Sequence, residues 1–416
     1  MSDIEHLEIT IDVDGVDMNQ LAIVADLKAI LTGNPFTLEG SIFIAQVQES
    51  HKNNLQKLLT VYQSSGVPQI NALPSYFLRK VGMGNYYAVT VNRELNVVET
   101  TAILNQIDAI QNGKSYENLM EEYEDLFSDM LLNYELHAND GEKRINIGPK
   151  DKEKRICRYC HRDSSETSFN EVAHTVSEGL GNKGIITNDE CDECNGYFGK
   201  NVEPALLEYL DFFRVWYGVH GKKGKIHHKY GGNYELEKTD DNSIKLDITL
   251  TDEDIAALSE NSLGDVNLRS HIEIAKQDIY RTLVKYALGI LQPENMPPFE
   301  KTVEWLRGKR EVKKLPIVRI EMALEPVEQP KVVTMIRKSE DETLPYAVSE
   351  IHVMNIRFLL IIPMCDEKDN HFLGNDYWER FLDVFKMYKV TNWQLQDFSE
   401  TEKKQLVMKV GFVKEK

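Results

Sequence analysis

Two C-x-x-C pairs place the strongest constraint on how this chain folds. Cys157 and Cys160 form the first pair, Cys191 and Cys194 form the second, and thirty residues separate the two. Each pair forms a tight turn that aims two thiolates at one ion, and two pairs complete the tetrahedral sulfur shell that Zn²⁺ prefers. A thioredoxin-like redox motif needs only one pair, in a βαβ setting that this sequence lacks. The spacing therefore predicts a structural zinc site.

Composition limits the remaining possibilities. No apolar run in the 416 residues approaches the ~20 needed to cross a bilayer, so no membrane association is expected. The first fifteen residues lack the basic and apolar regions of a signal peptide, and the expected location is cytoplasmic. The net charge of −19 repels nucleic acid on average, so any contact with phosphate depends on local basic segments.

The pattern of apolar and charged residues predicts an α+β protein in three parts. Residues 1–139 form an α+β domain with a regulatory or oligomerisation role, residues 140–233 a zinc-binding module, and residues 234–416 a second α+β domain. A strand is predicted at 7–13 and at 85–92, and helices at 17–31, 115–136, 203–218 and 270–291. Two strand-rich stretches follow at 315–338 and 346–364.

Two basic segments flank the cysteine pairs, at residues 143–162 and 222–229. Runs of basic residues are commonly solvated surfaces, but two such runs beside one module favour contact with the phosphates of a nucleic acid. The residues predicted to contact nucleic acid are Lys154, Arg155, Arg158, Lys222, Lys223 and Lys225.

Between the pairs, the sequence predicts a strand, a turn, a return strand and a helix. "SFNEVAHTV" indicates the first strand, "SEGLGNKG" the glycine-rich turn, and "ITNDECDECNGYFG" the return strand and helix. The polar residues in this unit are His174, Asn188 and Asn195. A lone histidine is often only a hydrogen-bonded strand residue, and Asn188 also suits a helix cap.

This order of motifs resembles the zinc-bearing HNH endonucleases, over about 45 residues. The resemblance implies a treble-clef-like ββα-metal fold with zinc on Cys157, Cys160, Cys191 and Cys194. It assigns His174 as the general base and Asn195 as a ligand of a catalytic Mg²⁺ or Mn²⁺. Asn188 corresponds to the asparagine that braces the hairpin loop.

One position departs from that family. Its members commonly carry Asp, Glu or His directly before the base, as a second metal ligand, and this chain has Ala173. Either Glu171 supplies the missing ligand, or the ion depends on Asn195, water and substrate, or the site is inactive.

The sequence therefore predicts a metal-dependent HNH endonuclease that hydrolyses phosphodiester bonds, with DNA as its substrate. A regulated role in defence or in a mobile element fits an acidic chain with long additional segments, which suit a partner protein or a homo-oligomer. The alternative is a zinc module that binds nucleic acid or protein without cutting it.

Overall fold

The computed structural model describes residues 18–33, 42–62, 82–90, 103, 106–107, 116–139, 144–221, 224–225, 228–239, 243–251 and 264–412. The chain divides into two compact units, Met1–Glu124 and Asp125–Lys416. The strand predicted at 7–13 lies outside the described residues. The domain boundaries predicted at 139 and 233 remain predictions.

The described part of the first unit includes two helices and one antiparallel pair of strands. Helix α1 (Met18–Thr32) and helix α2 (Glu49–Tyr62) pack with the antiparallel strands β1 (Ile42–Gln46) and β2 (Tyr86–Thr90). Helix α1 is followed by Gly33, whose φ of +74° is a left-handed conformation that glycine adopts without strain. The helix predicted at 17–31 and the strand predicted at 85–92 are thereby confirmed.

Helix α3 (Tyr116–Asn133) leads into the second unit. The elements that follow, in chain order, are β3 (Tyr134–Asn139), β4 (Ile145–Ile147), β5 (Ile185–Thr187), α4 (Asp192–Asn201), α5 (Glu203–Trp216), β6 (His220–Gly221), β7 (Gly224–Lys225), β8 (His228–Tyr230), β9 (Tyr234–Lys238), β10 (Ile244–Ile248), β11 (Gly264–Ala275), α6 (Lys276–Gly289), α7 (Glu300–Leu306), β12 (Val318–Arg337), β13 (Ala347–Ile361), α8 (Trp378–Val384), β14 (Gln394–Gln396) and β15 (Lys403–Phe412).

Antiparallel pairing organises the larger sheets. Strand β12 lies between β13 and β14 and also pairs with β3, while β11 pairs with β15. Within the module, β4 instead pairs in parallel with β5. The described part of the chain therefore has an α+β fold, as the sequence predicts.

Helix α6 is the central element of the second unit. It is buried around its whole circumference, as expected of a helix in the interior of a large core. The predicted helix at 270–291 begins too early, because residues 264–275 form β11. Val266, Leu268 and Ser270 are buried at every second position, which is the period of a strand.

One apolar core joins the cysteine module to α6 and to the sheet. It includes Ile147 and Phe198 from the module, Leu283 from α6, and Ile351 from β13. The module therefore shares its interior with segments more than a hundred residues later in the chain. Among the helices of the described ranges, none is long and apolar enough to cross a membrane.

Candidate active site

The four paired cysteines form one cluster. The Sγ atoms of Cys157, Cys160, Cys191 and Cys194 all lie within 4.8 Å of one another. The sulfur edge of a zinc tetrahedron is about 3.8 Å for Zn–S bonds of about 2.3 Å, and the Sγ atoms of Cys160 and Cys191 are 3.7 Å apart. The donor set and its spacing therefore fit a structural zinc ion.

Each cysteine pair is held by its own local backbone. In the first, the N–H of His161 donates to the carbonyl of Cys157 (2.8 Å), and the φ of +61° at His161 closes the turn. In the second, Cys191 is the N-cap of α4, and its Sγ accepts a hydrogen bond from the N–H of Cys194 (3.5 Å). The backbone thus directs both pairs toward one point.

Arg162 supports the cluster electrostatically. Its Nε donates to Sγ of Cys160 (3.4 Å), and its Nη2 donates to Glu193 (2.5 Å). The bond to the sulfur, followed by the carboxylate, raises the pKa of Arg162 above its ordinary value. A permanent cation beside the sulfur favours the thiolate form that binds metal.

Only a short part of the predicted first strand of the hairpin pairs with β5. His174 forms a single antiparallel bridge with Ile186 of β5, and the N–H of Thr175 donates to the carbonyl of Ile185 (3.0 Å). The rest of the stretch 168–176 is irregular. His174 is nevertheless fixed beside β5, at the start of the loop that joins the two segments.

Glu178 lies beside the imidazole of His174. Its Oε1 is 3.5 Å from Nε2 of His174, and the side chain of His174 is 18% exposed. Glu178 begins a short 3₁₀ turn, Glu178–Leu180, that Ser177 caps by accepting from the N–H of Gly179. Glu178 was not among the predicted site residues, although its position four residues after His174 indicates that the two side chains can meet.

Asn182 braces the loop of the hairpin. Its Nδ2 donates to the carbonyls of Val176 (2.8 Å) and Ile185 (3.1 Å). Its Oδ1 accepts from the N–H groups of Gly184 (3.1 Å) and Ile185 (3.0 Å). Asn182 is 1% exposed, so these four bonds satisfy an otherwise costly buried amide.

Asn188, the residue that the resemblance assigns as the brace, makes a different contact. Its Nδ2 donates to the carbonyl of Gly148 (3.3 Å), and its N–H donates to that of Ile147 (2.8 Å), so it ties β5 to the end of β4. It does not cap α4, since Cys191 holds that position. The loop-bracing bonds belong to Asn182.

The structure brings Glu171 and Asn195 together. Nδ2 of Asn195, on α4, donates to Oε2 of Glu171 (3.2 Å). Asp192, in the first turn of α4, anchors the preceding loop by accepting from Ser168 Oγ (2.6 Å) and from the N–H groups of Asn170 (3.1 Å) and Glu171 (2.8 Å). Burial opposes its ionisation, but these donors hold the pKa of Asp192 below its ordinary value.

Ala173 is 2% exposed, so its methyl group belongs to the interior of the module. Within the ranges that the structure describes, the four cysteines are the one group of three or more His, Cys, Asp or Glu side chains close enough to share an ion. Glu171 therefore belongs to no such group among the described residues.

The side chain of Arg158 lies in the interior of the second unit. It is 4% exposed, its Nε and Nη2 donate to Oδ1 of Asp189 (2.9 and 2.7 Å), and its Nη1 donates to the carbonyl of Leu288 at the end of α6 (2.9 Å). A guanidinium that is buried and paired in this way cannot reach a phosphate. Its burial removes Arg158 from the phosphate-contacting set that the sequence predicted.

The other basic residues of that set are placed differently. The side chain of Lys154 is 78% exposed, with its Nζ 3.8 Å from Asp151. Arg155 is half-buried, and it donates to the carbonyls of Pro149 and Lys150. Lys222 and Lys223 lie outside the described residues, and of Lys225 only the backbone, in β7, is described.

Comparison with known proteins gives one match. Residues 157–210 match the family model of HNH endonucleases, and that segment holds the cysteine cluster, the His174 hairpin and α4. No curated protein and no solved structure matches the chain. The resemblance found in the sequence is confirmed for this segment: residues 157–210 are a module of the HNH endonuclease family.

Proposed function

We propose that this module is a metal-dependent endonuclease that hydrolyses phosphodiester bonds in DNA. The observation that carries the proposal is the contact between Glu171 and Asn195, which come from a loop and a helix and meet at 3.2 Å. Amide and carboxylate oxygens are the hard donors that Mg²⁺ and Mn²⁺ prefer. These two side chains would hold the catalytic ion, with Glu171 in the role that Ala173 cannot fill.

His174 is the proposed general base. An imidazole takes a proton from water near neutral pH, which is the step that a hydrolytic nuclease requires. The carboxylate of Glu178, 3.5 Å from Nε2, favours the imidazolium that forms. When bound, a divalent cation neutralises a non-bridging phosphate oxygen and the departing 3′ oxygen.

The basic segments would hold the substrate backbone. Lys154 and Arg155 lie close to the cysteine module in sequence. Lys222, Lys223 and Lys225 belong to the second basic segment. Their positive charge is local, whereas the net charge of −19 opposes binding elsewhere. This distribution supports a regulated nuclease, such as a defence or mobile-element effector that awaits a trigger, a partner protein or self-association.

The test of the ion site is a metal titration of DNA cleavage. Glu171→Gln and Asn195→Ala should raise the Mg²⁺ concentration needed for half-maximal rate, and excess Mn²⁺ should partly restore the rate. Asn201→Ala is the matched control, because Asn201 is an exposed asparagine on the same helix that bonds to the carbonyl of Tyr197. A metal requirement unchanged in both test variants would remove Glu171 and Asn195 from the ion site.

The alternative function is binding without cleavage. The buried methyl of Ala173, where the family carries a ligand, favours it. It predicts a zinc-loaded protein that binds nucleic acid or protein but cleaves neither DNA nor RNA with any divalent cation.

A further inference from the structure

The end of helix α6 packs directly against the hairpin that carries His174. A Cβ placed on Gly289 would lie 2.5 Å from Cγ2 of Thr175, so only glycine permits this approach. Thr175 and Thr187 share a hydrogen bond between their hydroxyl groups (2.7 Å), and Oγ1 of Thr187 lies 3.5 Å from the carbonyl oxygen of Gly289. Both segments of the hairpin therefore face the last turn of α6.

Lys285, one turn earlier on α6, reaches the backbone of His174 itself. Its side chain is 1% exposed, and its Nζ donates to the carbonyl of His174 (3.2 Å) and to Oε1 of Glu203 (2.8 Å). The same Nζ lies 3.4 Å from Oε2 of Glu190. One ammonium group thus contacts the hairpin, the segment after β5, and the start of α5.

The charges around Lys285 keep it protonated despite its burial. Burial alone would lower the pKa of Lys285, but Glu190 and Glu203 raise it above its ordinary value. Buried ionic groups often contribute little to stability compared with apolar residues of the same size. An apolar residue could not supply the hydrogen bond to the carbonyl of His174.

We propose that Lys285 is a positioning residue for the nuclease site, which holds His174 in place through its backbone carbonyl. This inference rests on the proposed function of His174 as the base. Helix α6 then acts as a fourth element of the site, alongside the two hairpin segments and α4. A misplacement of about 1 Å can reduce a catalysed rate by ~10²-fold, so a hold on the backbone of the base has a direct effect on turnover.

The test distinguishes the loss of the hydrogen bond to His174 from the loss of the positive charge beside Glu190. Lys285→Met removes the ammonium but leaves Glu190 buried without its cation, so this variant should lose thermal stability. Adding Glu190→Gln should restore much of that stability while the bond to His174 remains absent. In the double variant, kcat should fall by roughly 10- to 100-fold, with KM for DNA and the metal requirement unchanged. Gln277→Leu is the control, because Gln277 is buried in the first turn of α6 and bonds to Val312, Ser399 and Trp305.

Amide hydrogen exchange gives a second readout that does not depend on cleavage. The N–H groups of Thr175 and Thr187 donate across the hairpin, to the carbonyls of Ile185 (3.0 Å) and Ala173 (2.9 Å). Both should exchange faster in the double variant and at the wild-type rate in Gln277→Leu. If the wild type cleaves nothing, the proposed function fails and this exchange alone decides the role of Lys285. The proposal would be contradicted if the double variant exchanged these amides at the wild-type rate, or if an active enzyme kept its wild-type kcat. Lys285 would then serve only as the buried counter-charge of Glu190 and Glu203.

Discussion

Replacing Arg158 by methionine should destabilise the second unit severely. Arg158 and Asp189 are 4% and 2% exposed. The guanidinium makes two bonds to one carboxylate oxygen, and its Nη1 donates to the carbonyls of Leu288 and Gly289. Methionine keeps most of the aliphatic volume but leaves Asp189 buried without its cation. Removing one partner of a buried pair costs about 3–5 kcal/mol.

A double variant distinguishes the two contributions to this loss of stability, the unpaired charge of Asp189 and the lost hydrogen bonds to α6. Arg158→Met combined with Asp189→Asn removes the uncompensated charge, so only the lost donor at the end of α6 remains, at a cost of about 1–3 kcal/mol. The double variant should therefore be more stable than Arg158→Met alone. Arg380→Met is the control, because Arg380 pairs with Asp341 at 2.6 Å with its side chain 48% exposed, and such pairs contribute roughly 0–1 kcal/mol.

Urea unfolding in zinc-saturated buffer, followed by tryptophan fluorescence, measures these differences. All four tryptophans lie in the second unit, so the signal reports on that unit. They are Trp216, Trp305, Trp378 and Trp393. A loss below about 1 kcal/mol in Arg158→Met, equal to that of the control, would refute the argument that this pair secures α6.

Three further predictions concern metal, packing and phosphate. Metal analysis of the purified protein should find one zinc ion per chain, which Cys191→Ser should lose and Cys365→Ser should keep. Zinc retained by Cys191→Ser would contradict the assignment of the zinc ligands. Gly289→Ala should cost roughly 1–3 kcal/mol in urea unfolding, because its Cβ would meet a side chain at 2.5 Å, whereas Gly374→Ala, with open space around it, should be near neutral; equal effects would contradict this packing. Replacing Lys222, Lys223 and Lys225 by Glu should weaken the binding of DNA of every sequence and flatten its salt dependence, and an unchanged salt slope would show that this segment does not contact phosphate.

The zinc cluster was predictable because its information is local. Two C-x-x-C turns need only short backbone segments to aim their thiolates, and the chain places all four Sγ atoms within 4.8 Å. Glu171 and Asn195 were also expected to lie together, because the resemblance assigns Asn195 to the metal ion and Glu171 is a carboxylate two residues before Ala173. In both cases the order of residue types along the sequence indicated which side chains lie together.

Long-range packing was not predictable in the same way. Arg158 lies in a run of basic residues, a pattern typical of a solvated or phosphate-binding face, yet its partner Leu288 is 130 residues away. Lys285 carried a weak signal, a single lysine within an otherwise apolar helical stretch. Only the packing of α6 against the module reveals what each charge contacts.

The hydrogen bonds within the loop could not be read from the sequence either. Asn182 and Asn188 are both asparagines near the turn, and the family pattern favours Asn188 as the brace. The four loop-bracing bonds come from Asn182 because its side chain points into the loop, where unpaired backbone groups would be buried. Sequence spacing alone does not determine which amide turns inward.

The central claim is tested most directly by the single-turnover rate of DNA cleavage at saturating Mg²⁺ or Mn²⁺, in wild type and in His174→Ala. His371→Ala, at an exposed histidine outside the matched segment, is the control. If His174 is the base, the wild type should show metal-dependent cleavage that leaves 3′-hydroxyl ends. The rate should be lower by ~10²-fold or more in His174→Ala, with zinc content and DNA affinity unchanged. Equal rates in the two proteins, or no cleavage of DNA or RNA by the wild type with any cation or partner, would contradict it.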